Sequence, residues 1–90
     1  MLLYIYFVER NNKSPHYDTN LWMIVAAKSR RTIPSVIGEG WRQLPYFKTE
    51  KVYGDEELDA WKDVKQLKIQ YFGKGFFKNP CIVCTHFNAG

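Results

Sequence analysis

Gln66-Leu67-Lys68-Ile69-Gln70-Tyr71 alternates polar and apolar residues with a period of two, the pattern of a strand buried on one face. Gly73-Lys74-Gly75 breaks the pattern and Asn79-Pro80 breaks it again, after which Cys81-Ile82-Val83-Cys84-Thr85-His86-Phe87 resumes as a mainly apolar run. Nearer the start, Leu2-Leu3-Tyr4-Ile5-Tyr6-Phe7-Val8 is β-branched and aromatic with no polar face, which predicts a strand covered on both sides. Leu21-Trp22-Met23-Ile24-Val25-Ala26-Ala27 predicts another strand, since no helical spacing of polar residues interrupts it. Between these two, Glu9 to Asn20 carries the turn chemistry of Asn11-Asn12 and Ser14-Pro15 and predicts an exposed loop.

Helical signals are shorter. Ser29 can cap a helix running through Ile37, with Gly38 as its end. Pro34 would remove a hydrogen bond in mid-helix, so a start near Thr32, which puts Pro34 in the first turn, fits better; an irregular connection is the alternative. Asp55 can cap a second short helix, with Glu56, Glu57 and Asp59 favouring its positive end and Leu58 and Trp61 sharing a face. Gly38 to Gly54 fits either a long loop or an extra strand at Lys48 to Tyr53. The elements predict one α+β domain over 1–90, mainly an antiparallel sheet of about four strands with one or two short helices on one face.

Six Tyr, six Phe and three Trp supply the large buried areas that a chain of 90 residues needs. A core this small cannot enclose every ring, so some must lie at the surface, where aromatics suit a binding face. The net charge is +4, and all of the excess lies in residues 1–54, most densely at Lys28, Arg30 and Arg31. That balance permits an acidic partner and excludes mimicry of DNA, which needs a strongly acidic surface. The apolar start is too short for a signal peptide's core with its flanks and far too short for a membrane span. With only two cysteines, the expectation is a reduced, cytoplasmic setting without a membrane partner.

Cys81-Ile82-Val83-Cys84 is formally a CxxC, with His86 close by and His16 far upstream. On a regular strand, residues three apart point to opposite faces, so the two thiols would not converge on one metal ion or one disulfide. The expectation is two buried free cysteines, with no metal and no cofactor. His16 stands beside Tyr17 and Asp18 without catalytic company, and Gly38-Glu39-Gly40 is too short for a phosphate loop. The acidic cluster around Asp55 is explained by helix capping, and no nucleophile, base and orienting group can be assembled, so no enzyme is expected. Lys74-Gly75-Phe76-Phe77-Lys78 comes near the Lys-Gly-Phe-x-Phe arrangement with which some strands stack nucleic-acid bases, but it is one residue short and falls between the predicted strands. A hinge with Phe76 or Phe77 turned into the core explains the same residues, and Lys74, Phe76, Phe77 and Lys78 form the site if nucleic acid is the partner.

The ending Phe87-Asn88-Ala89-Gly90, after a β-rich apolar run, resembles that of a loose group of small bacteriophage accessory proteins. Similar too are the short first strand, Tyr17-Asp18 before a strand that ends in Ala-Ala with Lys28-Ser29 following, and a Trp61 to Val64 segment feeding a strand that closes on Tyr71 to Gly73. The chain departs from that group at Ser29 to Pro34, where a helix rich in Glu and Ala is usual, and Gly38 to Gly54 looks like an elaboration. The resemblance implies a non-enzymatic protein acting in the cytoplasm of a bacterial host. It would bind and inhibit a host protein or nucleoprotein complex, such as a CRISPR effector or another host-defence assembly. The contacts expected for that partner are Arg30, Arg31, Trp41, Tyr46, Phe47 and Lys48, because Arg and aromatic residues carry interface energy disproportionately. A nucleic-acid partner or a homo-oligomer is also compatible with exposed aromatics.

Overall fold

The two most apolar runs of the chain become the two central strands of one sheet. The computed structural model describes residues 1–10, 19–41, 43, 61–62 and 64–88. β1 (Leu2–Arg10) and β2 (Thr19–Ala27) pair antiparallel, Tyr6 opposite Val25 and Val8 opposite Met23. β3 (Leu67–Phe76) lies antiparallel on the free edge of β1, and β4 (Cys81–Asn88) antiparallel on the free edge of β2, giving the order β3-β1-β2-β4. The small α+β domain with its four-stranded antiparallel sheet is therefore the architecture that the strand patterns predict. Only one face of β1 and β2 is covered by α1, and on the other Ile5, Phe7, Trp22 and Ile24 are half-buried, which corrects the expectation that the first strand is covered on both sides. The predicted loop is shorter at both ends, since β1 reaches Arg10 and β2 begins at Thr19.

The short link between the last two strands suggests neighbours, but they occupy opposite edges. Phe77–Pro80 with its flanking steps reaches at most about 17 Å, against about 14 Å for three interstrand spacings, so the link crosses the end of the hairpin with little slack. The Phe77 N–H donates to the Met1 carbonyl at 2.9 Å, steering the chain over the start of β1.

Ser29 takes the cap position with extended backbone, and a 3-10 turn, Arg30–Thr32, leads into α1 (Ile33–Trp41). The Thr32 hydroxyl donates to the Ser29 carbonyl at 2.8 Å and accepts from the Ser29 N–H at 3.3 Å. Pro34 falls in the first turn of α1, where its missing N–H costs nothing. Gly38 does not end this helix. Ile33, Val36, Ile37 and Trp41 form one buried stripe, and their burial outweighs the penalty of about 1 kcal/mol for each helical glycine. Gly40 also has a packing reason: a Cβ there would lie 2.8 Å from Ile82 Cδ1, so the helix approaches β4 through a position without a side chain.

The core lies between α1 and one sheet face. Tyr6, Val8, Met23, Val25, Ala27 and Leu67 face Ile33, Val36, Ile37, Trp41 and Trp61, with Ile69 and Ile82 packed at its border. Arg10 closes the far end, only 8% exposed, with its guanidinium 5.5 Å from the centroid of the Trp61 ring in a cation–π contact. The predicted helix start around Asp55 to Asp59 lies outside the described residues, as does the predicted extra strand at 48–53.

Candidate functional site

Each edge strand contains a β-bulge, and the two bulges decide which side chains share a face. In β3 the register shifts between Ile5 and Tyr6, so that Tyr71 pairs with Tyr6 and Gly73 with Ile5, leaving Phe72 as the extra residue. Gly73 follows with φ at +155°, a conformation that disfavours a side chain. In β4 the shift falls between Ile24 and Val25, leaving Val83 as the extra residue.

On the face away from α1, one ring from each strand joins a row. Phe72 of β3 stacks with Phe7 of β1 at 6.3 Å between centroids; Phe7 meets Trp22 of β2 at 5.4 Å; and Trp22 stacks with His86 of β4 at 5.6 Å, the last pair only 10° from parallel. The row follows the strand order, each contact being a cross-strand neighbour or diagonal. Its ends are the most open, with Phe72 62% exposed and His86 also exposed, whereas Phe7 and Trp22 are half-buried. Around it the register places Glu9 and Lys68 opposite each other. Phe77 folds onto the same face farther along: a Cβ at Gly75 would meet the Phe77 ring at 3.0 Å and Ile5 Cδ1 at 3.2 Å.

A second aromatic cluster lies on the helix side, where β3 and β1 extend past the helix. Tyr71 is 6.0 Å from both Tyr4 and Tyr6, and the Lys74 ammonium lies 5.6 Å from the Tyr4 ring centroid. Burial pushes the Tyr6 hydroxyl above its usual pKa, helped by Tyr4 and Tyr71, while Arg30 acts in the opposite direction. Arg30 and Arg31 line a shallow hollow with Ser29 and Val64.

The residues expected from sequence divide between these surfaces. Arg30 and Arg31 are exposed at the turn before α1. Trp41 is completely buried and anchors α1 to the sheet, which corrects its assignment as a contact residue. Tyr46, Phe47 and Lys48 lie outside the described residues. Lys74 and Phe76 sit on β3 itself, which runs through the tract expected to separate two strands. Phe76 is 83% exposed on the helix side while Phe77 is half-buried against the opposite face, so these two rings do not form one stacking pair. Lys78 is exposed in the link to β4.

The bulge at Val83 also changes the reading of the cysteines. Cys81 pairs with Ala26 and Cys84 with Ile24, two positions on one face, so the thiols share a side of the sheet. Both are free; Cys81 is half-buried and Cys84 exposed, rather than both buried. Among the described residues no group of three His, Cys, Asp or Glu side chains is placed to hold a metal ion, and no helix is long and apolar enough to cross a membrane. The row of Phe7, Trp22, Phe72 and His86 has no signal in the sequence because none of its members is distinctive alone; only the strand order aligns them. No family model matches the chain, and comparisons with curated proteins and with solved structures find no match.

Proposed function

We propose that this is a non-enzymatic binding protein of the phage accessory type, which attaches to a protein of the bacterial host, alone or within a nucleoprotein complex, and inhibits it. The observation that supports the reading is the aromatic row across all four strands, open at Phe72 and His86. A surface of rings joined across a rigid sheet suits an apolar protein epitope, because such rings lose little freedom on binding. Host defence assemblies fall within this class of target.

The test is a tagged pull-down from nuclease-treated bacterial lysate, followed by reconstitution with the captured protein and an assay of that protein's own activity. The reading expects a stoichiometric complex with reduced target activity. Phe72→Ser should weaken binding about thirtyfold, the effect of losing one anchoring aromatic contact. A wild-type protein that captures no stoichiometric partner, or whose Phe72→Ser variant binds equally well, would overturn it. Light scattering that showed a homodimer closed over Phe72 would assign the row to self-association instead.

A further inference from the structure

A separate surface supports a different kind of partner. At the helix-side edge, Tyr71 and Phe76 project from the same face of β3, on either side of Lys74. Tyr71 is 53% exposed and Phe76 83% exposed. The register explains the alignment: after the bulge at Phe72, Lys74 pairs with Tyr4 and Phe76 with Leu2, both on the face that Tyr71 shares with Tyr6. Two exposed rings thus stand roughly 15 Å apart along one strand, with a cation between them. Tyr4 supports the inner ring at 6.0 Å and receives the Lys74 ammonium over its own face at 5.6 Å.

Arg30 and Arg31 are exposed in the turn that follows β2, whose last residue, Ala27, pairs with Tyr4 as Tyr4 pairs with Lys74, so they extend the positive charge at the same end of the sheet. The described carboxylates stand elsewhere: Glu9 near the far end of β1, on the opposite face, and Glu39 in the cleft where the end of α1 meets Pro80 and Cys81. Exposed rings in line with cations, without an acidic neighbour among the described residues, match an unpaired nucleotide chain, whose bases offer flat faces and whose phosphates carry one charge each. A duplex hides those base faces.

We infer that this edge binds single-stranded nucleic acid, with bases stacked on Tyr71 and Phe76 and phosphates held by Arg30, Arg31 and Lys74. The site is independent of the aromatic row and would let one molecule hold a protein and a nucleic-acid strand on opposite faces.

Fluorescence anisotropy of the full chain with labelled DNA and RNA oligonucleotides of about 15 unstructured nucleotides tests this directly. Binding is expected to weaken about twentyfold between about 50 and 200 mM salt, the slope for three phosphate contacts to a single strand. Phe76→Ser and Tyr71→Ser should each cost about tenfold in affinity, and Arg30→Gln with Arg31→Gln should flatten the salt dependence. Gln70→Ser, exposed on the other face of β3, should leave binding unchanged and serves as the control for folding. Failure of both oligonucleotides to bind at low salt would overturn the inference, as would equal affinity for a duplex or equal loss from Gln70→Ser. If Phe76→Ser releases a protein captured from nuclease-treated lysate while neither oligonucleotide binds, the edge is a protein contact and the inference falls.

Discussion

The two aromatic surfaces of this sheet are built from the same residue types, yet they differ in charge and in how their rings are fixed. On the face away from α1, Phe72, Phe7, Trp22 and His86 touch in sequence across four strands, so each ring is braced by the next. On the helix side, Tyr4, Tyr6 and Tyr71 form a compact knot, while Phe76 stands almost alone beyond it. Beside the first, Glu9 and Lys68 stand opposite each other, whereas the second gathers Lys74, Arg30 and Arg31 without a described carboxylate. Aromatic content therefore does not define a site. Its meaning comes from the charge beside it, and from whether the rings are joined across strands or spaced along one.

Both surfaces depend on the same core, and breaking it should erase the distinction. Trp41→Ala removes a fully buried indole from beneath the sheet and is expected to cost about 3–5 kcal/mol, read as a lower urea midpoint, with both binding activities lost together. Gly73→Ala is narrower. It forces a side chain onto a φ of +155° and should cost about 1–3 kcal/mol. Because the bulge sets Phe72 on one face and Lys74 and Phe76 on the other, affinity at both surfaces should drop more than the stability loss alone explains.

The surfaces should then separate cleanly under single exposed substitutions. Phe72→Ser is expected to affect only the protein partner and Phe76→Ser only the oligonucleotide, each changing stability by less than about 0.5 kcal/mol. A thermal melt beside the two binding assays checks this. The smallest effect concerns pH. Burial raises the Tyr6 pKa in the folded chain above the ordinary value of about 10, so the unfolded chain loses its proton first. Stability should be fully present below pH 10 and decline as pH rises past it, and Tyr6→Phe should remove that part of the decline. Urea midpoints between neutral pH and about pH 11 measure it.

Much of the architecture was legible because strand signals are local. Apolar runs at Leu2–Val8 and Leu21–Ala27 and the alternation at Gln66–Tyr71 each mark a strand, although the second face of the apolar runs is a half-buried aromatic surface rather than a covered one. What was not legible came from the bulges. One extra residue leaves composition unchanged but inverts every facing position beyond it. Simple alternation would put Phe76 on the same face as Phe72 and would set Cys81 against Cys84; the bulges at Phe72 and Val83 reverse both. The helix runs past Gly38 for a related reason, since local propensity does not show that Trp41 has a place waiting in the core. The candidate row was hidden for longer, because Phe7, Trp22 and His86 meet only once the strand order is known.

The order β3-β1-β2-β4 also bears on how the chain reaches this state. Leu2 pairs with Phe76, almost the whole chain away, and β4 closes the opposite edge with residues that follow later still. The hairpin of β1 and β2 can form early, but during synthesis it must wait with both flanks open until the last third of the chain has emerged. Distant pairings of this kind slow folding toward milliseconds or longer. In that interval the apolar hairpin is the part of the molecule most vulnerable to aggregation, and the arrival of β3 and β4, tied together by Phe77–Pro80, ends the exposure on both flanks nearly at once.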